Sequence, residues 1–361
     1  MRISPTLRPH YLLTALCLVL SLAAARDGRA QPPALPALQA DLSQTSVSGL
    51  SSGAFMAGQF AVAYSGIVVG AGLVAGGPYY CAGYPGVWPY IPYLANAMSS
   101  CMNPGEAHSA PPVAVETWRA AQVFAKEGRI DDTANLKRQK VYLFSGTSDQ
   151  TVTRPVVDQT FKFYQLAGVP TGQLAYVADV KAGHAIITDR NTDQACALTG
   201  PPYINDCDFS QAGDILRHIY PQLNPPSAKL SGKILKFNQR AYIRGYLSSM
   251  SNTAYAYVPA ACASAACRVH VAFHGCRQGA QAVGDHFYAK TGYNELADSN
   301  RIIVLYPQVE PSALYPYNPR GCWDFWGYTS VNPFLPDFYA KSGVQMAAVK
   351  SMLDRLAAPR K

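Results

Sequence analysis

The sequence predicts an α/β fold, with a mostly parallel central sheet and helices on both faces. Three observations carry that expectation. Apolar, β-branched runs of strand length alternate with helical periodicity over most of the 361 residues, the pattern of strands gathered into one sheet and covered by helices. Apolar residues make up 49% and charged residues only 14%, so a large core can be buried and a disordered chain or a coiled coil is excluded. No internal repeat, low-complexity tract or linker divides the chain, so one domain is expected over residues 41–361.

The elements follow in order. Residues 1–30 read as an export signal: Arg2 and Arg8 give a positive start, residues 11–22 an apolar run, and Ala23, Ala24 and Ala25 a small-residue cleavage site, with cutting near residue 25 or 30. The apolar run is too short to span a bilayer, and no later segment is long and apolar enough. The expected destination is therefore outside the cytoplasm, with no membrane span in the mature protein. Residues 31–40 are Pro/Ala-rich and predict a loose lead-in. A strand over 46–49 then enters a turn at Leu50-Ser51-Ser52-Gly53, followed by a buried helix to Tyr64. Residues 67–74 predict a buried strand, and 77–112 an excursion rich in Gly, Pro, Tyr and Ser. Helices are expected over 117–126, 156–167 and 342–356, and strands over 140–145, 174–180 and 301–306. Residues 254–259 and 268–273 read as paired strands.

The formal charge of +8 comes from scattered Lys and Arg, which form no stripe that would track phosphates, so nucleic acid is not an expected partner. Leaving out Cys17 in the signal, the cysteines are Cys81, Cys101, Cys196, Cys207, Cys262, Cys267, Cys276 and Cys322, an even set suited to an oxidising compartment. Many pairings are open to eight cysteines. Neighbour pairing (Cys81–Cys101, Cys196–Cys207, Cys262–Cys267) is expected because each pair brackets a short loop, which leaves Cys276 with Cys322. The spacings lack the paired two-residue gaps of a zinc knuckle and no His pair accompanies them, so no metal is expected.

Gly49-Leu50-Ser51-Ser52-Gly53 fits G-x-S-x-G between a strand and a helix, the setting of a nucleophile elbow. Glycines are needed there because the serine sits on a strained turn where neighbouring Cβ atoms would clash. An elbow serine requires an acid and then a histidine further along the chain. Asp149 follows the strand 140–145 in Gly146-Thr147-Ser148-Asp149, and His184 follows the strand 174–180 in a small-residue loop. Asp158, Asp179 and Asp189 compete with Asp149, and His108, His218 and His286 with His184, in poorer contexts. The run 269–276 is an apolar strand ending in His274-Gly275-Cys276, the form of an oxyanion loop that ordinarily precedes the nucleophile. Here it follows it, which suggests a circularly permuted α/β-hydrolase beginning at the nucleophile strand.

Taken together, Ser-Gly-Leu-Ser-Ser-Gly, Gly-Thr-Ser-Asp, Gly-His, His-Gly-Cys and Gly321-Cys322-Trp323-Asp324 resemble the permuted extracellular poly(3-hydroxybutyrate) depolymerases over nearly the whole mature chain. The resemblance implies Ser51 as nucleophile, His184 as base and Asp149 as orienting acid. It also implies an oxyanion hole from the Ser52 and Cys276 N–H groups, and Trp323 beside the scissile ester. His274 and Trp326 are further expected substrate contacts, and aromatic residues crowd two loops: Tyr79, Tyr80, Tyr84, Trp88, Tyr90 and Tyr93, then Tyr315, Tyr317, Trp323, Phe325, Trp326 and Tyr328. Such rings suit an apolar polyester. Many members carry a linker and a separate polymer-binding domain. No residues remain here for either, so amorphous polymer or soluble oligomers are the expected substrate. No cofactor is implied. The rival expectations are a feruloyl or acetyl esterase on the same scaffold and a non-catalytic secreted binding protein.

Overall fold

Strands and helices alternate from Asp41 to Ala357 in a computed structural model that describes residues 32–83, 93–332 and 334–360. The export signal at 1–30 and the residues Tyr84, Trp88 and Tyr90 lie outside the described residues. The first half holds β1 (Asp41–Leu50), α1 (Ser52–Ala63), β2 (Val68–Val74), α2 (Tyr93–Met98), α3 (Ala114–Lys126), β3 (Lys140–Phe144), α4 (Arg154–Leu166) and β4 (Leu174–Val177). Three short strands follow, β5 (Ile186–Thr188), β6 (Gln194–Ala195) and β7 (Ile204–Asp206), and then α5 (Gln211–Ile219). The second half holds β8 (Lys233–Asn238), β9 (Thr253–Val258), β10 (Arg268–Phe273), α6 (Ala280–Val283), α7 (His286–Lys290), α8 (Tyr293–Ser299), β11 (Ile302–Tyr306) and α9 (Val344–Ala357).

The main sheet has the order β4-β3-β2-β1-β10-β11-β9-β8, and β5-β7-β6 form a small second sheet. From β4 to β11 every neighbouring pair is parallel, whereas β9 and β8 add antiparallel pairs at one edge. The first strand in sequence is thus central in space. Burial explains its place: β1 is covered from Thr45 to Leu50, as a strand needs to be when helices lie on both faces. All twelve residues of α1 are buried, because it carries no charge and packs against β1, β2 and β10. The edge strand β8, which the sequence pattern did not reveal, bears Lys233 and Lys236; lysines on an edge discourage pairing with another chain.

Two expectations are corrected. Residues 254–259 and 268–273 are not partners, because β11 lies between β9 and β10. β10 is buried at five of its six positions, so it takes a strand on each side, and the connection from β9, closed by Cys262–Cys267, crosses over instead of folding back as a hairpin. The lead-in is not loose in its described part. Leu35 is fully buried, Asn238 N–H donates to Pro33 O, and Leu38 and Ala40 N–H both donate to Leu356 O. Its leucines fill the seam between β1 and α9, which outweighs the irregular backbone that Pro32, Pro33 and Pro36 impose.

Candidate active site

Parallel strands bring the ends of β1, β3, β4 and β10 to one edge of the sheet, where ligands of open α/β sheets gather. Ser51 directly follows β1 with φ 57° and ψ −124°, a conformation costly for any residue with a Cβ. Its N–H donates to Val74 O, and its C=O accepts from Ala54 and Phe55. The two motif glycines are there for close approach. A Cβ on Gly49 would lie 2.3 Å from Gly53 O, and one on Gly53 would lie 2.2 Å from Phe273 O. The turn is therefore pressed between β10 and its own helix, which holds Ser51 Oγ clear of the sheet.

Asp149 and His184 meet at the same edge. His184 Nδ1–H donates to Asp149 Oδ2 at 2.7 Å, while Asp149 Oδ1 accepts from the N–H groups of Thr151 and Val152. A proton held on Nδ1 leaves the Nε2 lone pair available as a base. Both residues are buried, and His184 N–H donates to Thr199 Oγ1. The loop that carries His184 is fixed from the small sheet: Gly183 N–H donates to Cys196 O, and Cys196 is bonded to Cys207. Ser51 Oγ makes no hydrogen bond to His184; such contacts commonly tighten only with substrate in place.

Beside Ser51 lies an apolar cleft formed by Phe55, Met98, Met102, Val152, Phe325 and Trp326, with Cys276, Arg320 and Cys322 at its margin. Ser52 is the first residue of α1, where N–H groups have no partner within the helix. Ser52 Oγ accepts from Trp323 N–H, and Cys276 is bonded to Cys322. Cys81 is bonded to Cys101 and so ties down the Met98–Met102 side of the cleft. Of the residues expected to contact substrate, Trp326 lies in the cleft wall, whereas His274 and Trp323 do not. Both are fully buried. His274 Nδ1–H donates to Gly275 O and its Nε2 accepts from Val309 N–H, so both nitrogens are engaged inside the protein. Burial lowers its pKa to about 4. The Trp323 ring packs edge-on against Phe273 and beside His274. These two residues pack together behind Gly275 and Cys276.

No family model matches the chain. It is 42% identical over 332 residues to a poly(3-hydroxybutyrate) depolymerase of Delftia acidovorans, covering 90% of this chain and 61% of that protein. It is 37% identical over 339 residues to a polyhydroxybutyrate depolymerase of Talaromyces funiculosus, covering 90% of this chain and 92% of the relative. The chain belongs to the poly(3-hydroxybutyrate) depolymerase family. Two solved structures agree, each 34% identical and covering 90% of this chain and 98% of the other. One is the PHB depolymerase of Penicillium funiculosum, with a TM-score of 0.78, and the other a serine-to-alanine PHB depolymerase complexed with an R3HB trimer, with a TM-score of 0.77.

In this member of the family, the cleft residues Phe55, Met98, Met102, Val152 and Arg320 escaped the sequence motifs. They come from four separate segments, Met98 and Met102 sharing one, that only the fold assembles. Asp324 stood inside the Gly-Cys-Trp-Asp motif without a role. Its carboxylate is buried and accepts from the N–H groups of Trp326, Gly327, Tyr328 and Thr329 and from Thr329 Oγ1. The signal in the sequence is an Asp followed by Gly327 and Thr329 in a segment without helical or strand periodicity, the composition of a side-chain-capped turn.

Proposed function

We propose that this chain is an exported serine esterase that cleaves ester bonds of poly(3-hydroxybutyrate) or its oligomers through an acyl-enzyme. The observation that carries the reading is the His184–Asp149 pair at 2.7 Å, at the sheet edge where Ser51 stands on its strained turn. Ser51 Oγ bonds to the ester carbonyl carbon while its proton passes to His184 Nε2. The Ser52 and Cys276 N–H groups stabilise the oxygen as it becomes negative. The carbonyl re-forms, the ester C–O bond breaks, and His184 gives its proton to the departing alcohol oxygen. Water then repeats the sequence on the acyl-Ser51, with His184 again as base, and releases the acid. The substrate class is supported by the apolar cleft, by relatives named for this polymer, and by exposed Leu314, Tyr315 and Tyr317 on the loop leading to Arg320. Export is supported by four disulfides, and no helix among the described residues is long and apolar enough to cross a membrane.

The permuted order is supported by two features. Strands β8 to β11 lie on one side of β1 and β2 to β4 on the other. The chain on either side of the missing connection is hydrogen-bonded together, Leu38 to Leu356 and Gln39 to Ala358. The decisive experiment is clearing of a poly(3-hydroxybutyrate) emulsion, run beside labelling with a fluorophosphonate. Wild-type protein should clear and label, and Ser51→Ala should do neither while remaining folded. A folded wild type that never labels would remove the esterase reading, and labelling without clearing would remove the polymer.

A further inference from the structure

The wall of the cleft that carries Trp326 has no regular secondary structure among the described residues between Gly321 and Ser342, yet it is held by a dense set of hydrogen bonds. Asp324 is its centre. The backbone of Asp324 is pinned by two helices: its N–H donates to Gln345 Oε1 of α9 at 2.8 Å, and its C=O accepts from Gln59 Nε2 of α1 at 3.1 Å. From that fixed point the carboxylate gathers five donors. Oδ1 accepts from Trp326, Gly327 and Tyr328 N–H at 3.1, 2.6 and 3.2 Å, and Oδ2 accepts from Thr329 N–H and Oγ1 at 3.0 and 2.6 Å. The chain turns tightly enough for this at Gly327, whose φ is 92° and where a Cβ would lie 2.4 Å from Pro336 Cβ.

A buried carboxylate is costly to desolvate, and burial raises the Asp324 pKa against the pull of those donors. A loop that needed only to be folded could be closed with neutral groups. This one aims a particular side chain. Trp326 lines the cleft with Ser51, its ring braced by Phe325 at 4.9 Å and Tyr328 at 4.7 Å, and Phe325 is stacked on Phe55 of α1 at 4.2 Å.

We infer that Asp324 is a positioning residue that selects substrate: it fixes Trp326 on the cleft wall, and Trp326 seats the part of the substrate that extends beyond the reacting ester. The substrate named here rests on the function proposed above. Asp324 touches neither Ser51, Asp149 nor His184, so an ester too small to reach Trp326 should be indifferent to it. Asp324→Asn keeps the size but turns an NH₂ group against a cluster of N–H donors.

The test compares kcat/KM on a 3-hydroxybutyrate trimer with kcat/KM on p-nitrophenyl acetate. Asp324→Asn should lose about tenfold or more on the trimer, mostly through KM, and stay within about twofold on the acetate ester. Trp326→Ala should lose activity on the trimer in the same way, mostly through KM, and adding Asp324→Asn to it should cost no more than about a further twofold, because the two residues act as one unit. If Asp324→Asn does not fold, Thr329→Val removes one donor and should give a smaller loss of the same kind. Equal losses on both esters in a folded variant, or losses that multiply in the double variant, would overturn the inference. A wild type that leaves the trimer intact would instead remove the polyester, and the split would then be read between aryl acetate and aryl octanoate.

Discussion

At the scale of single residues, the acid of the site invites the sharpest substitution. Asp149 Oδ2 holds the Nδ1 proton of His184, so Asp149→Asn should keep the fold and turn the imidazole to the wrong tautomer. By analogy with serine protease triads the turnover loss should approach ~10⁴, measured on a soluble aryl ester. A loss of only twofold would move the role to Asp158, Asp179 or Asp189. The strained turn at Ser51 and the pairing of Asp149 with His184 were legible in the sequence because each residue is announced locally, by small residues at the end of an apolar strand. His274 and Trp323 were placed in the substrate's path by their motifs, yet both turn inward. Which way they face is decided far along the chain, by Val309 N–H for His274 and by Phe273 for Trp323. No pattern within a few residues encodes that choice.

Strands and helices show the same division between local and distant information. The turn from β1 to α1 was readable from two glycines, and its tightness gives a prediction. Gly53→Ala places a methyl group against the backbone of Phe273 and His274, so the variant should fold poorly or lose activity with the β1–β10 contact, seen as a lowered thermal midpoint. The pairing of β9 was not readable, since β10 and β11 are equally apolar and their order depends on a crossover. Nor was the polar clasp between β1 and β10. Ser46 Oγ and Ser48 Oγ lie 2.7 Å from the two nitrogens of buried His270, and Tyr293 OH lies 2.6 Å from Ser48 Oγ. Burial lowers the pKa of His270 to about 3 and that of His274 to about 4. An unfolded chain protonates its histidines near pH ~6.5. Below that pH the unfolded state therefore takes up protons that the folded state refuses, and stability falls as pH falls. The urea midpoint should drop steadily from pH 6.5 to 5, above the range where carboxylates titrate. A flat midpoint there would mean that neither histidine stays neutral in the folded protein.

For the molecule as a whole, Cys276–Cys322 joins the loop after β10, proposed above to supply an oxyanion donor, to the segment that carries Trp323 and Trp326 across a separation of 46 residues. Loop closure over that span is worth about 4 kcal/mol in the chain-entropy model. The catalytic effect should still dominate: a displaced oxyanion donor forfeits up to ~3 kcal/mol of transition-state stabilisation. Cys322→Ala should thus lower kcat more than it raises KM, measured well below the melting temperature. A change confined to KM would show that the bridge shapes the cleft and leaves the donor where it was. The sheet order also bears on how the protein is made. β1 leads the sequence, but its neighbour β10 arrives some 220 residues later, as the 224-residue separation of Ser46 and His270 shows. A growing chain presents Ser51 early, then Asp149 and His184, and lacks the strand that presses on the Ser51 turn until Phe273 has been synthesised. A nascent chain that stops short of that point carries Ser51 at the end of a strand with one of its two neighbours missing. The middle of the sheet is therefore closed late, although β1 is the first of its described strands to emerge.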